Sequence, residues 1–243
     1  MAVALATFAV LQIGGSSDSG PLNAIAEAAE RTQEQPGGRA LIHVVVSSPV
    51  RSESMTMTGE MAFSDDPERS QTTFTVSRPG SEDSQAQTVT DGSVMYMRSD
   101  LLGSLPDGGE WMAMDLSFAE DLGPSLPGGT DAMGELELLD EVADDVEKLG
   151  KEEVRGVPTT RYRGTVKGSP LQIEAWIDGK GLVRRMQFVK SEPGGKGEGP
   201  KTTKMRIDYF DFKSVPEIDV PDSDEVYDAT ELLQEEIRNL KDK

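Results

Sequence analysis

Cysteine is absent from this chain, histidine occurs once, and aromatic residues make up only 5% of it. Without thiols there is no disulfide framework, no thiolate metal site and no cysteine nucleophile. That absence does not place the protein in a compartment, because a larger exported domain can rely on its core alone. Any Ser-His-Asp triad would have to use His43, and no Gly-x-Ser-x-Gly elbow accompanies it. Set between Ile42 and Val44 in an apolar run, His43 reads as a structural residue. Zinc sites built from His and Cys are excluded. An Asp-x-Asp-x-Asp-Gly calcium loop and a phosphate-cradling glycine motif are also missing. No metal and no cofactor is expected.

Positive charge is scarce: 24 Lys and Arg face 44 Asp and Glu, a net charge of −20. Duplex phosphates and anionic bilayer surfaces would both repel such a chain, so nucleic acid is not an expected partner. The acid excess keeps a protein soluble and monomeric. The adjacent acids Glu120-Asp121 and Asp144-Asp145 lie beside a connector and on the polar side of an expected helix. That placement favours solubility over a raised carboxylate pKa, and no enzymatic activity is expected.

Long apolar runs are equally rare. Ala2 to Gly15 is short for a membrane span of ~20 residues but suits the apolar core of a signal peptide or anchor. Such a core is normally preceded by basic residues, whereas the first Lys or Arg here is Arg31; the basic start would lie upstream of Met1. A buried N-terminal helix is the alternative. The expected organisation is a signal- or anchor-like segment over 1–15, a Gly/Ser linker over 16–20, one domain over 21–228 and a polar helix or tail over 229–243.

Periodicity fills in the domain. Pro21 opens an amphipathic helix on Leu22, Ile25, Ala26 and Ala29 that stops at Pro36-Gly37-Gly38. Strands follow over 39–47, 54–63, 72–78, 85–90, 94–98 and 110–116, with Asp91-Gly92 as a hairpin turn. Met133, Leu136, Leu139, Val142, Val146 and Leu149 then recur every three or four residues, which predicts a helix over 133–149 with an acidic outer side. Strands resume over 154–166, 171–178, 182–189 and 201–212, giving roughly nine to eleven in all. Arg184 and Arg185 are expected on opposite faces of their strand, paired with acids or, for one of them, set at a pocket mouth.

The methionines carry the most information. Met55/Met57, Met95/Met97 and Met112/Met114 are each spaced by two, so each pair occupies one face of its strand, and Met61 shares the face of the first pair. Thioethers adapt to irregular apolar partners, which fits either ordinary core filling or contact with a variable apolar ligand.

Several stretches resemble a known family. Gly150 to Val166, Ala175-Trp-Ile-Asp-Gly-Lys-Gly-Leu-Val-Arg-Arg-Met186 and Tyr209-Phe-Asp-Phe212, with Val220-Pro221 and Asp224-Glu-Val226, resemble the hairpins and closing strand of actinobacterial lipoproteins of the LppX/LprG type, within the LolA/LolB-like carriers. The resemblance covers about Leu22 to Asp228. It implies an α+β fold: a strongly curved antiparallel β half-barrel covered by helices, exported, whose concave apolar face holds a lipid or glycolipid. The cavity lining would be Val44 and Val46, Met55, Met57, Met61 and Phe63, and Phe74 and Val76. Met95, Met97, Trp111, Met112 and Met114 would continue it, and Leu136, Leu139 and Val142 would cover it. Family members are usually tethered through a lipidated cysteine. Here Leu11-Gln-Ile-Gly-Gly-Ser16 resembles the surroundings of that cysteine with serine in its place. A hydroxyl cannot form the thioether, so the implied state is release or tethering by the N-terminal apolar segment.

Overall fold

A computed structural model describes residues 20–48, 53–65, 68–100, 102–117, 133–142, 145–169, 171–192, 200–232 and 234–235. The apolar segment 1–15, most of the linker, the acids Glu120, Asp121 and Asp144, and most of the expected polar helix or tail over 229–243 lie outside them.

The chain builds one open sheet of twelve strands. After helix α1 (Pro21–Gln33) come β1 (Gly37–Ser48), β2 (Glu53–Asp65), β3 (Glu68–Ser77), β4 (Ser84–Asp91), β5 (Val94–Ser99) and β6 (Trp111–Asp115). A short 3-10 helix, Gly134–Leu139, precedes β7 (Glu147–Val154), β8 (Val157–Thr165), β9 (Gln172–Asp178), β10 (Val183–Glu192), β11 (Lys201–Phe210) and β12 (Val226–Asp228). The spatial order is β12-β6-β5-β4-β3-β2-β1-β11-β10-β9-β8-β7. Two meanders therefore meet at one seam, where β1 pairs β11 from Arg39–Phe210 to Ser47–Thr202. A sheet this wide cannot stay flat: the strand twist accumulates and the sheet curls.

Helix α1 packs on the concave side of that curl. Gly20 precedes it and Pro21 opens it, where a missing N–H costs nothing. Ala28 and Ala29 let the helix approach closely, with Ile25 as its large contact. Thr32 donates to the Ala28 carbonyl (2.6 Å) and accepts from the Val183 amide (2.9 Å), fixing the helix to β10. Beneath it lie Ala40, Ile42, Ile207, Tyr209, Met186, Phe188, Ile173 and Ala175, all at most 2% exposed.

Three expectations need correction. The periodic stretch 133–149 is not one helix. Among its described residues only Gly134–Leu139 is helical, Val142 bridges Val166, and β7 has begun by Glu147. Val142 drops into space left by Gly164, whose side-chain position it would otherwise contest, and Val146 lies beside it. Asp145 accepts from the Thr165 amide (3.2 Å) and hydroxyl (2.8 Å), tying the segment to β8. Those tertiary contacts outweigh the local periodicity. The expected strand 154–166 is instead the end of one strand and the whole of the next, turning at Arg155 and Gly156 with φ of 51° and 78°. Finally, Arg184 and Arg185 do not split between the faces. A bulge between Val183 and Arg185 lets Val183 and Met186 both enter the core, so both arginines leave it. Arg184 pairs with Asp178 (2.7 Å) and Arg185 with Asp208 (2.5 Å).

After β11 the chain crosses the convex side. Ile218 packs on Val89 and Trp111, and Arg69 donates to its carbonyl (3.3 Å) while pairing with Asp91 (2.9 Å). The segment ends as β12, parallel to β6, so the sheet is not wholly antiparallel as expected.

Candidate functional site

Pairing register decides which side chains share a face. Directly paired residues point the same way, so rows can be followed across the ladders. One row runs Ala40, Met61, Thr72, Thr88, Met97, Met112. The next runs Gly38, Phe63, Ser70, Thr90, Met95, Met114. Two shorter rows place Gly59 with Phe74 and Ala86, and Val44 with Met57 and Val76. Val46 lies opposite Met55. Twelve of the sixteen expected lining residues therefore share one face of β1–β6, the concave face that carries α1 farther along.

Leu136 and Leu139 are fully buried in the core on this side, and Val142 is 1% exposed over β8. Trp111 is the exception. It alternates with Met112 and so points to the convex side, where it joins Val89 and Ile218 beneath the returning chain. Arg98 stacks on its ring at 4.7 Å. Trp111 belongs to a second, smaller core, and a depression of ≈ 480 Å³ lined by Gln71, Gln87, Arg98 and Asp219 lies beside it.

The concave face has two parts. Under α1 and the short helix it is closed: Ile207, Met186, Leu136 and Leu139 are at 0% exposure. Along β2 and β4–β6 it is open in part. Met55, Met57, Ala86, Met95, Met97 and Met112 are only half-buried, although every one of them is apolar. A band of hydroxyls, Ser70, Thr72, Thr88 and Thr90, crosses this face on β3 and β4, between the residues of β2 and the methionines of β5. Thr72 is 1% exposed, and its Oγ1 is buried without a hydrogen-bond partner among the described residues. A buried donor left unmet costs about 1–3 kcal/mol.

The convex face of β7–β11 is polar and internally matched. Arg161 bridges Glu152 and Glu174 (2.8 Å each), and the Trp176 indole donates to Glu152 (2.7 Å). The indole and Arg161 together hold the Glu152 carboxyl below its ordinary pKa. These contacts brace the back of the sheet, and the Arg161 Nε is left buried without a hydrogen-bond partner among the described residues.

A curved, single-sheet half-barrel with helices on its concave side is the class that the fold defines. No family profile matches the chain, and no curated protein does. Among solved structures it is similar to the lipoprotein LppX of Mycobacterium tuberculosis (16% identity, TM-score 0.48, 84% of this chain and 100% of that one). It is also similar to LprF from Mycobacterium bovis (13%, 0.45, 86% and 99%). A LolA superfamily protein from Nitrosomonas europaea is a more distant likeness (10%, 0.33, 78% and 90%).

The sequence signal for the open half was the i, i+2 methionine spacing. The hydroxyl band escaped notice, because threonine and serine are ordinary strand residues until register aligns them.

Proposed function

We propose that this protein is an exported, non-catalytic carrier that holds a lipid or lipid-linked molecule against the methionine half of its concave face, outside the cytoplasmic membrane. One observation carries the reading: the apolar residues Met55, Met57, Ala86, Met95, Met97 and Met112, on one face of β2–β6, are left half-buried, while the same face farther along is closed by helices. Each methylene sheltered there contributes about 0.8 kcal/mol, so one acyl chain gains useful affinity without polar recognition. Flexible thioethers suit chains of variable length and branching. The resemblance of the closing hairpins to the LppX/LprG type agrees with this role.

Native mass spectrometry of the purified protein, followed by solvent extraction, tests the proposal. A reproducible adduct that disappears on extraction is expected. A clean apo mass with no uptake of offered lipids would instead favour an envelope interaction or sensor module with a filled core.

The buried hydroxyl of Thr72 gives a finer test. Thr72→Val keeps the shape and removes an unmet donor, so the lipid-free protein should become more stable by about 1 kcal/mol. If that donor is met by a ligand carbonyl, the same change should weaken an ester-bearing lipid about tenfold while leaving a plain hydrocarbon unaffected. Thermal unfolding and competitive displacement of a fluorescent lipid read the two effects. Equal affinities for the ester in wild type and variant would remove Thr72 from the site.

A further inference from the structure

On the concave face, β5 and β6 contribute only methionine at their paired positions: Met95 lies opposite Met114 and Met97 opposite Met112. Four thioethers therefore form a two-by-two block. Partners across such a ladder stand about 5 Å apart, and neighbours along a strand about 6.8 Å. Each side chain is unbranched with three rotatable bonds, so three or four sulfurs of one block can turn toward a common point. Under α1 the same face mixes Met186 and Met205 with Ile42, Val44, Ile207 and Phe188, whereas the paired positions of β5 and β6 hold methionine alone. Met95, Met97 and Met112 are half-buried, and only Met114 is closed off, at 8% exposure.

A thioether is a soft, neutral ligand. It selects Cu(I) and its analogue Ag(I) over the harder Zn, Mg and Ca ions, which prefer imidazole, carboxylate or water. We propose that the Met95/Met97/Met112/Met114 block is a binding site for a soft monovalent cation of the copper(I) class. The site keeps the ion's single positive charge, and a chain of net charge −20 lowers the cost of holding it. The proposal does not depend on lipid binding, because leucine can replace methionine's apolar volume but not its sulfur.

The test uses the full chain labelled with methyl-13C methionine. It is titrated with Ag+, which has no redox chemistry here, and anaerobically with Cu+. One equivalent should bind and move the methyl signals of the four block residues. Met55 and Met57, half-buried on the same face but separated from β5 by β3 and β4, should stay in place. The double variant Met97→Leu/Met112→Leu should bind Ag+ about a hundredfold more weakly. Uniform movement of all accessible methionine signals, or undiminished Ag+ binding by the variant, overturns the site. Stoichiometric Ag+ binding by a protein that takes up no lipid supports the site and counts against the carrier reading alone.

Discussion

Gly59→Val is expected to destabilise the protein by about 3 kcal/mol, although valine is the better strand residue. Glycine in a strand interior costs about 1 kcal/mol relative to residues with side chains, so in open space the change would help. Here it cannot. A Cβ at Gly59 would stand 2.6 Å from Cδ1 and 2.7 Å from Cε1 of Phe74, and 3.2 Å from the Thr72 methyl carbon. Phe74 is 2% exposed and embedded in the main core, so its ring has no free direction. The loss should appear as a lower urea midpoint. It should also depend on Phe74: in a Phe74→Ala background the second change should cost almost nothing, a coupling expected only of residues in contact. Strictly additive losses would mean that the ring does not occupy the glycine's space.

The second large effect is expected at Asp178, in the β9–β10 hairpin. Its Oδ1 accepts from the amides of Lys180 (2.8 Å) and Leu182 (3.0 Å), and its Oδ2 accepts from Arg184 (2.7 Å). Burial alone would raise its pKa. The Leu182 amide, the Arg184 guanidinium and the Lys180 amide outweigh burial and leave the pKa below the ordinary aspartate value. A carboxylate depressed in this way stabilises the fold above its unfolded pKa, and that stability is lost as pH falls through the lower, folded value. Asp178→Ala removes three acceptor contacts and strands a largely buried arginine, at a cost of about 3 kcal/mol near neutral pH. Asp178→Asn keeps the turn contacts and loses the ion pair, so it should fall between the two. Unfolding free energies measured from pH 7 down to 2 should show the gap between wild type and Asp178→Ala narrowing in acid. A gap independent of pH would deny the carboxylate its charge-dependent role.

Strand positions and the methionine face were legible because alternation is a local property. Met55, Met57, Met95, Met97, Met112 and Met114 need only the pleat to align within a strand, and tight turns such as Asp91-Gly92 set the register between strands. Trp111 was misplaced although alternation alone sets it opposite Met112 and Met114, because its apolar character suggested the main core and the second core that holds it forms only when Ile218 crosses the convex side. The stretch 133–149 misled for a different reason. Val142 and Val146 answer to Gly164 on β8, and that demand happens to recur at helical spacing. A bulge at Val183–Arg185 likewise cannot be read from alternation, since it is a departure from it. The orphan hydroxyl of Thr72 exists only once three ladders bring Met61, Thr88 and Met97 into its row.

The seam between β1 and β11 joins strands that the sequence keeps far apart, whereas most other ladders link neighbours in the chain. Each meander can therefore zip locally, and the closure entropy of the long intervening chain falls on this junction and on the β6–β12 pair. The same junction supports the base of the apolar face, with Ala40, Ile42 and Val44 on one side of it and Tyr209, Ile207 and Met205 on the other. On this topology the apolar face is expected to be the last part of the molecule to acquire its shape, its methionine wing forming before the wall that shelters it.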